Sequence, residues 1–295
     1  MISVLICSIH PDLLSNVQEN IRKTIGVPFE ILVWDNRING KGICKIYNDL
    51  AQKAKFPYLC FLHEDVLLKT QDWGTEIFNI FFNDESIGLI GIAGSKYKSA
   101  YFSGWYTSVK ELDCANYIHQ YEKGTEHVYL SPKDIKINEE VVCIDGVFMC
   151  CKKEVWQRNK FDEEFLKGFH FYDIDFSLRI AREYKVVVTY HVELVHITTG
   201  GDYGNNWVET AISYHEKMKA LLPYSKITFD KKSIDKRIII VTMDHLKNYK
   251  ISFSNKIKWV FLQKVFLQPG FYYAIIKFFL YEPLGLKRIH KNKKS

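Results

Sequence analysis

The stretch Phe56-Pro57-Tyr58-Leu59-Cys60-Phe61-Leu62-His63-Glu64-Asp65-Val66 predicts a buried strand that ends in a cluster of polar side chains. The run from Tyr58 to Leu62 is short and apolar, and Pro57 stands at its start, where a missing N–H does least harm. An imidazole and two carboxylates follow at once. Ligands of open α/β sheets bind beyond the carboxyl ends of the strands, and carboxylates there suit a hard divalent cation. A polar turn without a ligand is the alternative interpretation.

Strand-like and helix-like patterns alternate around this stretch. Ile2 to Ile9, Glu30 to Trp34 and Ile87 to Ala93 have the apolar character of buried strands, whereas Pro11 to Lys23 and Gly42 to Lys55 have that of helices. The second helix carries apolar side chains at the i, i+3, i+4, i+7 spacing of one helical face. This alternation predicts an α/β fold, in which helices cover the faces of a sheet.

The second half of the chain is less regular. We expect loops that cover a site from Tyr97 to Glu140, because this region shows little periodicity. Two strand pieces flank the turn Asp145-Gly146. The remaining predicted elements are helices at Asp173 to Tyr184 and Asn206 to Leu222, and strands at Lys185 to Tyr190 and Glu193 to Ile197.

The cysteines and the first residues indicate the compartment. The seven cysteines lie mostly in apolar runs and form no CxxC pair, so we expect buried free thiols in a reducing cytosol. Ile2 opens a strand without the basic segment of a secretory signal. No uninterrupted apolar run approaches the roughly 20 residues that span a bilayer. We therefore expect a cytoplasmic protein.

Basic residues are concentrated at the C-terminal end. From Asn248 onward the sequence contains ten Lys or Arg and one acid, Glu282, which gives a net charge of +9. The whole chain carries +6, so the first 247 residues carry −3. We therefore divide the chain into a body, residues 1–225, and a basic, aromatic C-terminal extension, residues 226–295, which we expect to be helical.

The extension has the composition of a segment that lies on a membrane surface. Its apolar runs are interrupted by Gln263-Lys264, Pro269-Gly270 and Lys277, so neither piece can span a bilayer. A basic, aromatic, amphipathic segment suits the interface of an anionic membrane. Two alternatives remain, a helical hairpin packed on the body and a contact with a dimer partner. We expect no nucleic acid, because no nucleic-acid-binding motif accompanies the basic residues.

The order of these motifs resembles the family-2 glycosyltransferases, whose nucleotide-sugar-binding, Rossmann-like fold is called GT-A. The resemblance covers roughly residues 1–222. Its motifs are Asp35 after the second strand, His63-Glu64-Asp65, Asp145-Gly146, the helix start at Tyr172-Asp173, and His196 before Thr198-Thr199-Gly200-Gly201. The resemblance implies a mixed central sheet, and it implies an inverting, metal-dependent transfer of a sugar from a UDP- or dTDP-sugar.

The resemblance also implies roles on the donor side. Ser8, Asp35, Asn36, Glu64 and Asp65 would bind the nucleotide sugar. In the family, a DxD motif at this point holds a divalent cation on the donor diphosphate. Here a histidine takes the place of the first aspartate, and the sequence leaves open whether it contacts the ligand or only shapes the turn. An Asx-type turn after the second strand is the structural alternative for the Asp-Asn pair.

The resemblance also implies residues that bind the metal and the acceptor. Asp65 and His196 would hold Mn²⁺ or Mg²⁺, because imidazole and carboxylate can share such an ion. Asp173 would be the catalytic base, although an aspartate at a helix start can also serve only as its N-cap. The acceptor-binding residues implied by the resemblance are Asp145, Gly146 and Tyr172. We add Trp105 to the acceptor side, because an aromatic face packs on the C–H surface of a sugar; a contact with the donor sugar and a place in the core are its alternatives.

The expected partners are therefore a nucleotide-sugar donor, a glycan or lipid-linked acceptor of polysaccharide synthesis, a membrane surface and a possible second copy of the chain. Two other functions stay open. A sugar-nucleotide pyrophosphorylase shares the core fold, but it needs a Gly-rich, Arg-containing loop that Ser8-Ile9-His10-Pro11 lacks. A non-catalytic membrane-associated scaffold or pseudoenzyme would explain the irregular His63-Glu64-Asp65 motif.

Overall fold

The computed structural model describes residues 1–38, 40–121, 124–129, 136–197 and 203–280. Within these residues, strands and helices follow one another from the first residue. The strands are β1 (Ile2–Ser8), β2 (Phe29–Asp35), β3 (Tyr58–Leu62), β4 (Val66–Leu68), β5 (Ile87–Gly91), β6 (Ala93–Ser95), β7 (Tyr97–Lys98), β8 (Asp113–Tyr121), β9 (Gly124–Tyr129), β10 (Asn138–Val141), β11 (Cys143–Ile144), β12 (Phe148–Lys152), β13 (Lys185–Thr189), β14 (Leu194–Ile197) and β15 (Tyr224–Ser225).

The α-helices cover both the body and the C-terminal extension. They are α1 (Pro11–Thr24), α2 (Ile43–Lys53), α3 (Trp73–Asn83), α4 (Lys153–Arg158), α5 (Tyr172–Ile180), α6 (Asn205–Met218), α7 (Lys231–Leu246), α8 (Phe253–Leu262) and α9 (Tyr272–Leu280). Two 3₁₀ turns, Val265–Leu267 and Pro269–Phe271, stand between the last two helices. The predicted helical character of the extension is thus confirmed up to residue 280.

A seven-stranded mixed sheet forms the centre of the body, in the order β10-β13-β5-β12-β3-β1-β2. Strand β1 pairs in parallel with β2 and β3, whereas β12 runs antiparallel to both β3 and β5. The predicted α/β fold with a mixed central sheet is confirmed. Because β1, β2 and β3 are parallel, their carboxyl ends bring Ser8, Asp35 and His63 to one edge of the sheet.

The apolar helix and strand faces that the sequence predicts are buried in the core around this sheet. The predicted face of α2, which includes Ile43, Ile46, Tyr47 and Leu50, is buried. The side chains at the centre of β1 and β3 are fully buried as well, because these strands have neighbours on both sides. All seven cysteines are free thiols, and six of them are buried, as the sequence indicates.

A second sheet takes two of its strands, β8 and β9, from the region that was expected to form loops. It runs in the order β11-β6-β8-β14-β4, and β9 is added on β8. The prediction of loops from Tyr97 to Glu140 is therefore wrong for β7 to β10. The nine-residue strand β8 mixes apolar and polar side chains, and it is stabilised by pairing with β6, β9 and β14 rather than by its own pattern.

The described residues form two compact units. The first includes residues 1–98, 104–197 and 221–229, and it contains both sheets. The second includes residues 99–103, 203–220 and 230–280, and it contains the helices α6 to α9. In the second unit, Asn255 Nδ2 donates hydrogen bonds to Asn205 Oδ1 and Glu209 Oε1, which tie α8 to α6. None of the helices in the described parts of the chain has the length and hydropathy of a bilayer span.

Candidate active site

Three ligand atoms converge where β3 ends and β14 passes. His63 and Asp65 follow β3, and His196 lies in β14, which pairs antiparallel with β4 so that His196 is opposite Val66. The backbone N–H of Ile197 also donates to the carbonyl of Asp65 at 2.7 Å. As a result, His196 Nε2 lies 3.3 Å from Asp65 Oδ2, and His63 Nδ1 lies 3.8 Å from Asp65 Oδ1.

The chemistry of this triad fits a divalent cation. One ligand atom from each of His63, Asp65 and His196 lies within 4.8 Å of the others, which is the spacing that a shared ion requires. Asp65 Oδ1 is buried, and no described residue donates a hydrogen bond to it. A buried carboxylate oxygen without a donor is costly unless a cation satisfies it. Two imidazoles and one carboxylate suit an ion such as Mn²⁺.

The three members of the triad also perturb one another's protonation. Burial is the largest influence on His63 and lowers its pKa. Burial also opposes the charged form of His196, but the hydrogen bond and charge of Asp65 outweigh it and raise the pKa of His196. Burial acts against the Asp65 carboxylate, yet the contact with His196 lowers its pKa overall. The site therefore favours an ionised carboxylate, which is the form that binds a cation.

Tyr172 connects this triad to the start of α5. Its side chain is buried, and its hydroxyl lies 2.8 Å from His63 Nε2. Gly146 leaves space for that hydroxyl, because a Cβ at position 146 would collide with it. The preceding residue, Phe171, has a left-handed backbone with φ of 67°, a strained conformation for a bulky residue. The backbone N–H of Asp175 bonds the Phe171 carbonyl at 2.9 Å and helps to hold that conformation.

Asp173 and Asp145 form a second acidic centre beside Tyr172. Asp173 Oδ2 accepts a hydrogen bond from the Gly146 N–H at 3.0 Å, and Asp173 Oδ1 accepts one from the Ile174 N–H at 2.8 Å. Burial and the nearby charge of Asp145 together raise the pKa of Asp173 to about 7. Helix α5 begins at Tyr172 with Phe171 as its N-cap, so Asp173 is not the capping residue.

Asp145 is held in place by donors from two directions. The indole N–H of Trp105 donates to Asp145 Oδ2 at 2.7 Å, and the Val147 N–H donates to Asp145 Oδ1 at 2.9 Å. Trp105 is partly exposed. The structure therefore brings together the four residues predicted on the acceptor side, Trp105, Asp145, Gly146 and Tyr172, next to Asp173.

The carboxylate of Glu64 stabilises the turn after β1 through several hydrogen bonds. It accepts hydrogen bonds from the Ser8 hydroxyl, from the N–H groups of Ile9 and His10, and it contacts the His10 ring at 2.9 Å. Ser8 and Glu64 are both buried, and these donors from the chain itself surround the carboxylate. Their position at the carboxyl edge of the sheet suits the donor side, and their contacts shape the loop there.

Asp35 and Asn36 lie at the same edge, beyond β2. Asp35 is 42% exposed and forms an ion pair with Arg37 at 2.5 Å, which holds the pKa of Asp35 at about 2. Asn36 bridges its loop, accepting from the Lys41 N–H at 2.9 Å and donating to the Lys41 carbonyl at 3.1 Å. The turn suggested as the structural alternative is therefore present, and Asp35 still points an ionised carboxylate toward solvent.

Two histidines of this region were not assigned to the site from the sequence. His63 was left open between a ligand contact and a turn residue, and the structure places it in the triad. His119 lies opposite His196 in the parallel pair β8 and β14, with ring centroids 5.5 Å apart. Its region lacked periodicity, so only the alternation within β8 could have indicated it. The loop Thr198-Thr199-Gly200-Gly201, which the resemblance included, lies outside the described residues.

Two solved structures share the architecture of the chain. The crystal structure of GalNAc-T7 with UDP, GalNAc and Mn²⁺ aligns with a TM-score of 0.52 and 12% identity over 90% of this chain. The chain spans 55% of the length of GalNAc-T7. The mannosyltransferase PcManGT from Pyrobaculum calidifontis, in complex with GDP-Man and Mn²⁺, aligns with a TM-score of 0.52 and 11% identity over 94% of this chain and 85% of its own.

The comparison by sequence identifies the family. No curated protein matches the chain in sequence. Residues 3–230, however, match the family described as "Glycosyltransferase like family". This match covers both sheets and each residue of the cluster from Ser8 to His196. The chain belongs to this glycosyltransferase-like family, which is a family-2 group, and it has the GT-A fold.

Proposed function

We propose that the chain is an inverting, metal-dependent glycosyltransferase that moves a sugar from a UDP- or dTDP-sugar to a hydroxyl of a glycan or lipid-linked acceptor. One observation carries the proposal. The Tyr172 hydroxyl contacts His63 of the His63–Asp65–His196 triad, and Asp173 follows Tyr172 in the chain, so a group of cation ligands and a half-buried carboxylate belong to one cluster.

Asp173 is suited to act as the base of an inverting transfer. The acceptor hydroxyl attacks the anomeric carbon from the face opposite the leaving diphosphate, and it is a poor nucleophile until its proton is being removed. A carboxylate with a pKa of about 7 can take that proton near neutral pH. The N–H groups of Gly146 and Ile174 keep its oxygens in one orientation.

The triad is suited to the leaving group. His63, Asp65 and His196 would hold the cation, which supplies positive charge to the departing nucleoside diphosphate when it is bound. Two imidazoles among three ligands favour Mn²⁺ over Mg²⁺, because Mg²⁺ prefers oxygen ligands. The two structural neighbours that share the fold were solved with Mn²⁺, which is consistent with this choice.

The remaining residues divide between donor and acceptor. We assign Ser8, Asp35, Asn36 and Glu64 to the donor side, since they lie at the carboxyl edge of β1, β2 and β3. The ionised, exposed Asp35 can accept the imide N–H of a uracil or thymine base once Arg37 moves aside. The partly exposed face of Trp105 can pack on the C–H surface of an acceptor sugar.

The cellular role that fits this chemistry is synthesis of a surface polysaccharide at a membrane. A lipid-linked acceptor would place the enzyme at the cytoplasmic face, where the basic extension, residues 226–295, would hold it as a peripheral protein. We include a homodimer as a further possible state of the enzyme. The transfer chemistry itself requires neither membrane association nor a homodimer.

A thermal-shift panel tests the proposal. UDP, dTDP, GDP and their sugars are each added with Mn²⁺, with Mg²⁺ or with a chelator. A ligand at 100 times its dissociation constant should stabilise the protein by about 2.7 kcal/mol. We expect this shift for a uridine or thymidine diphosphate with Mn²⁺, followed by metal-dependent release of the nucleotide from the sugar. A protein that binds no nucleotide would contradict the proposal, and one that binds but never turns over would be a scaffold.

A further inference from the structure

Exposed apolar side chains are concentrated in the last two helices of the described chain. Among the described residues, nine of the sixteen large hydrophobic side chains that are exposed lie within the 28 residues from 253 to 280. Scattered exposed hydrophobic residues are normal on a protein surface, but a concentration of this kind marks an interaction surface.

The exposed side chains form a stripe on each helix. On α8 the stripe is Phe253, Ile257 and Phe261, and on α9 it is Tyr273, Ile276 and Leu280. These spacings of three and four residues put each stripe on one helical face. The Phe253 and Phe279 rings, 5.5 Å apart, join the N-terminal end of α8 to the C-terminal end of α9.

Each helix already has a separate apolar face that packs inside its own unit. Trp259 of α8 and Phe278 of α9 are fully buried, with ring centroids 5.9 Å apart. Helices of a globular protein usually carry one apolar stripe, which faces the core. The second, exposed stripe is therefore not needed to build this unit.

Within their own segment, the exposed stripes are accompanied only by positive charge. The sequence contains no Asp or Glu from 245 to 281, and it contains six lysines there. Lys258 and Lys277 are exposed on α8 and α9, and Lys277 Nζ lies 4.6 Å from the centre of the Tyr273 ring. We call the two stripes together with Lys258 and Lys277 the apolar–basic face. Long lysine side chains beside buried apolar groups can reach the lipid headgroups.

The charge decides between the possible partners. A second copy of the chain would bring a face of the same sign against this one, which is unfavourable. Residues 282–295 add five more basic residues and one acid, so they do not complement the face either. An anionic bilayer offers both a negative surface and an apolar layer directly beneath it.

We infer that the apolar–basic face lies flat on an anionic lipid bilayer, with the two stripes inserted at the boundary of headgroups and acyl chains. Helices of 10 and 9 residues extend only about 15 Å, which allows an interfacial position and not a crossing. This deepens the membrane association included in the proposed function. It does not depend on the transfer chemistry, because the face can bind lipid without donor or metal.

Vesicle co-sedimentation of the full chain tests the inference, without nucleotide or metal. Vesicles of phosphatidylcholine with phosphatidylglycerol should bind the protein at low salt, and pure phosphatidylcholine should bind it at least about tenfold less. The double variant Tyr273→Ser, Leu280→Ser removes two side chains that are 71% and 77% exposed, and we expect at least about a tenfold loss of binding.

Matched variants separate the face from general surface effects. Phe82→Ser with Ile227→Ser removes two exposed apolar side chains elsewhere and should leave vesicle binding unchanged. Lys258→Glu with Lys277→Glu should weaken binding to anionic vesicles by about tenfold or more, whereas Lys55→Glu with Lys110→Glu should have a smaller effect. Melting temperatures of all variants show whether each one is folded.

Three outcomes would overturn the inference. The first is a folded full-length protein that does not bind anionic vesicles at low salt. The second is equal loss of binding in the face variants and the matched variants. The third is a concentration-dependent dimer, seen by analytical ultracentrifugation, that Tyr273→Ser with Leu280→Ser dissociates, because the face would then be a protein interface. None of these results affects nucleotide binding, so the proposed transfer reaction would be tested separately.

Discussion

His63 lies between the proposed cation site and the helix start that carries the proposed base, Asp173. Its Nε2 faces the Tyr172 hydroxyl, and its Nδ1 faces Asp65. If Nε2 carries the proton and donates it to Tyr172, Nδ1 keeps a lone pair for a cation. A hydrogen bond to the far nitrogen commonly fixes the tautomer of a histidine ligand in this way. Tyr172 would then be a positioning residue for the metal site.

The variant Tyr172→Phe tests this arrangement. It keeps the ring that packs on Tyr47 and Phe161 but removes the hydroxyl on His63. We expect the Mn²⁺ dissociation constant, measured by calorimetry with the nucleotide present, to rise by about 10- to 100-fold. Tyr58→Phe, at the opposite end of β3, is the matched control and should not change it. Equal Mn²⁺ affinity in both variants would contradict the positioning role.

Asp173→Asn tests the base. The amide keeps the size of the side chain but cannot take a proton, so turnover should fall by at least about 10²-fold with nucleotide affinity nearly unchanged. Asp175→Asn is the control on the same helical turn. Asp175 is buried and accepts from Arg179 Nε at 2.9 Å, so its variant should lose stability more than turnover. An active Asp173→Asn would instead make Asp145 the next candidate.

The pH dependence of the same residue gives a second test. The pKa of Asp173 in the folded chain is about 7, above its ordinary value of 3.8, because of burial and the charge of Asp145. The folded chain therefore binds more protons than the unfolded chain between these values, and its stability falls as pH rises through that range. Turnover should rise over the same range as the base ionises. In Asp173→Asn, this part of the fall in melting temperature should disappear.

At the scale of elements, the sequence was informative where a strand or helix is defined by its own residues. The buried face of α2 and the apolar run of β3 are local patterns, and both were predicted. Strand β8 was not, because its stability comes from pairing with three strands distant in the sequence. His119, which β8 places beside His196, was missed for the same reason.

The turn before β8 is held by one buried side chain, that of Asp113, which lies at the start of the strand. Asp113 accepts hydrogen bonds from the Thr107 N–H at 3.0 Å, the Thr107 hydroxyl at 2.8 Å and the Val109 N–H at 3.2 Å. Burial nevertheless raises the pKa of Asp113 to about 6. These bonds fix the segment that continues from Trp105, whose indole N–H holds Asp145.

We therefore expect Asp113→Ala to destabilise the protein by about 1–3 kcal/mol, because the N–H and hydroxyl of the buried Thr107 lose their acceptor and the Val109 N–H keeps only the Thr107 hydroxyl oxygen. Denaturant unfolding measures this change. Asp12→Ala, an exposed aspartate in the first turn of α1, is the control and should change the stability by less than about 1 kcal/mol. A fully stable Asp113→Ala would show that the turn is held by other contacts.

At the scale of the whole molecule, the candidate site joins residues that are far apart in the sequence. Asp65 and His196 were both selected because each lies at the end of a strand, and the fold brings them to 3.3 Å. The partnership of His63 with Tyr172 could not be predicted, because it depends on how β3 and α5 pack. Sequence patterns thus identified the elements that carry the site, while the contacts between side chains required the structure.

Removing the cation tests whether these distant residues act as one site. We expect Mn²⁺ with a nucleoside diphosphate to raise the melting temperature of the protein, and a chelator to abolish that rise. At 100 times the dissociation constant the stabilisation is about 2.7 kcal/mol, or several degrees for a chain of this size. Asp65→Ala should abolish the metal-dependent rise, and His196→Ala should reduce it, because each removes one of three ligands.

His191→Ala is the matched control, because His191 is a partly exposed histidine that pairs with Glu76 at 3.1 Å and does not belong to the triad. Its variant should keep the full metal-dependent rise in melting temperature.

The melting temperature of the metal-free protein gives a further test of Asp65. Asp65→Ala removes a buried carboxylate oxygen that has no donor among the described residues, so its metal-free melting temperature should fall little or increase. A large drop in the metal-free protein would mean that Asp65 supports the fold. Unchanged metal-dependent stabilisation in Asp65→Ala would mean that the cation binds elsewhere.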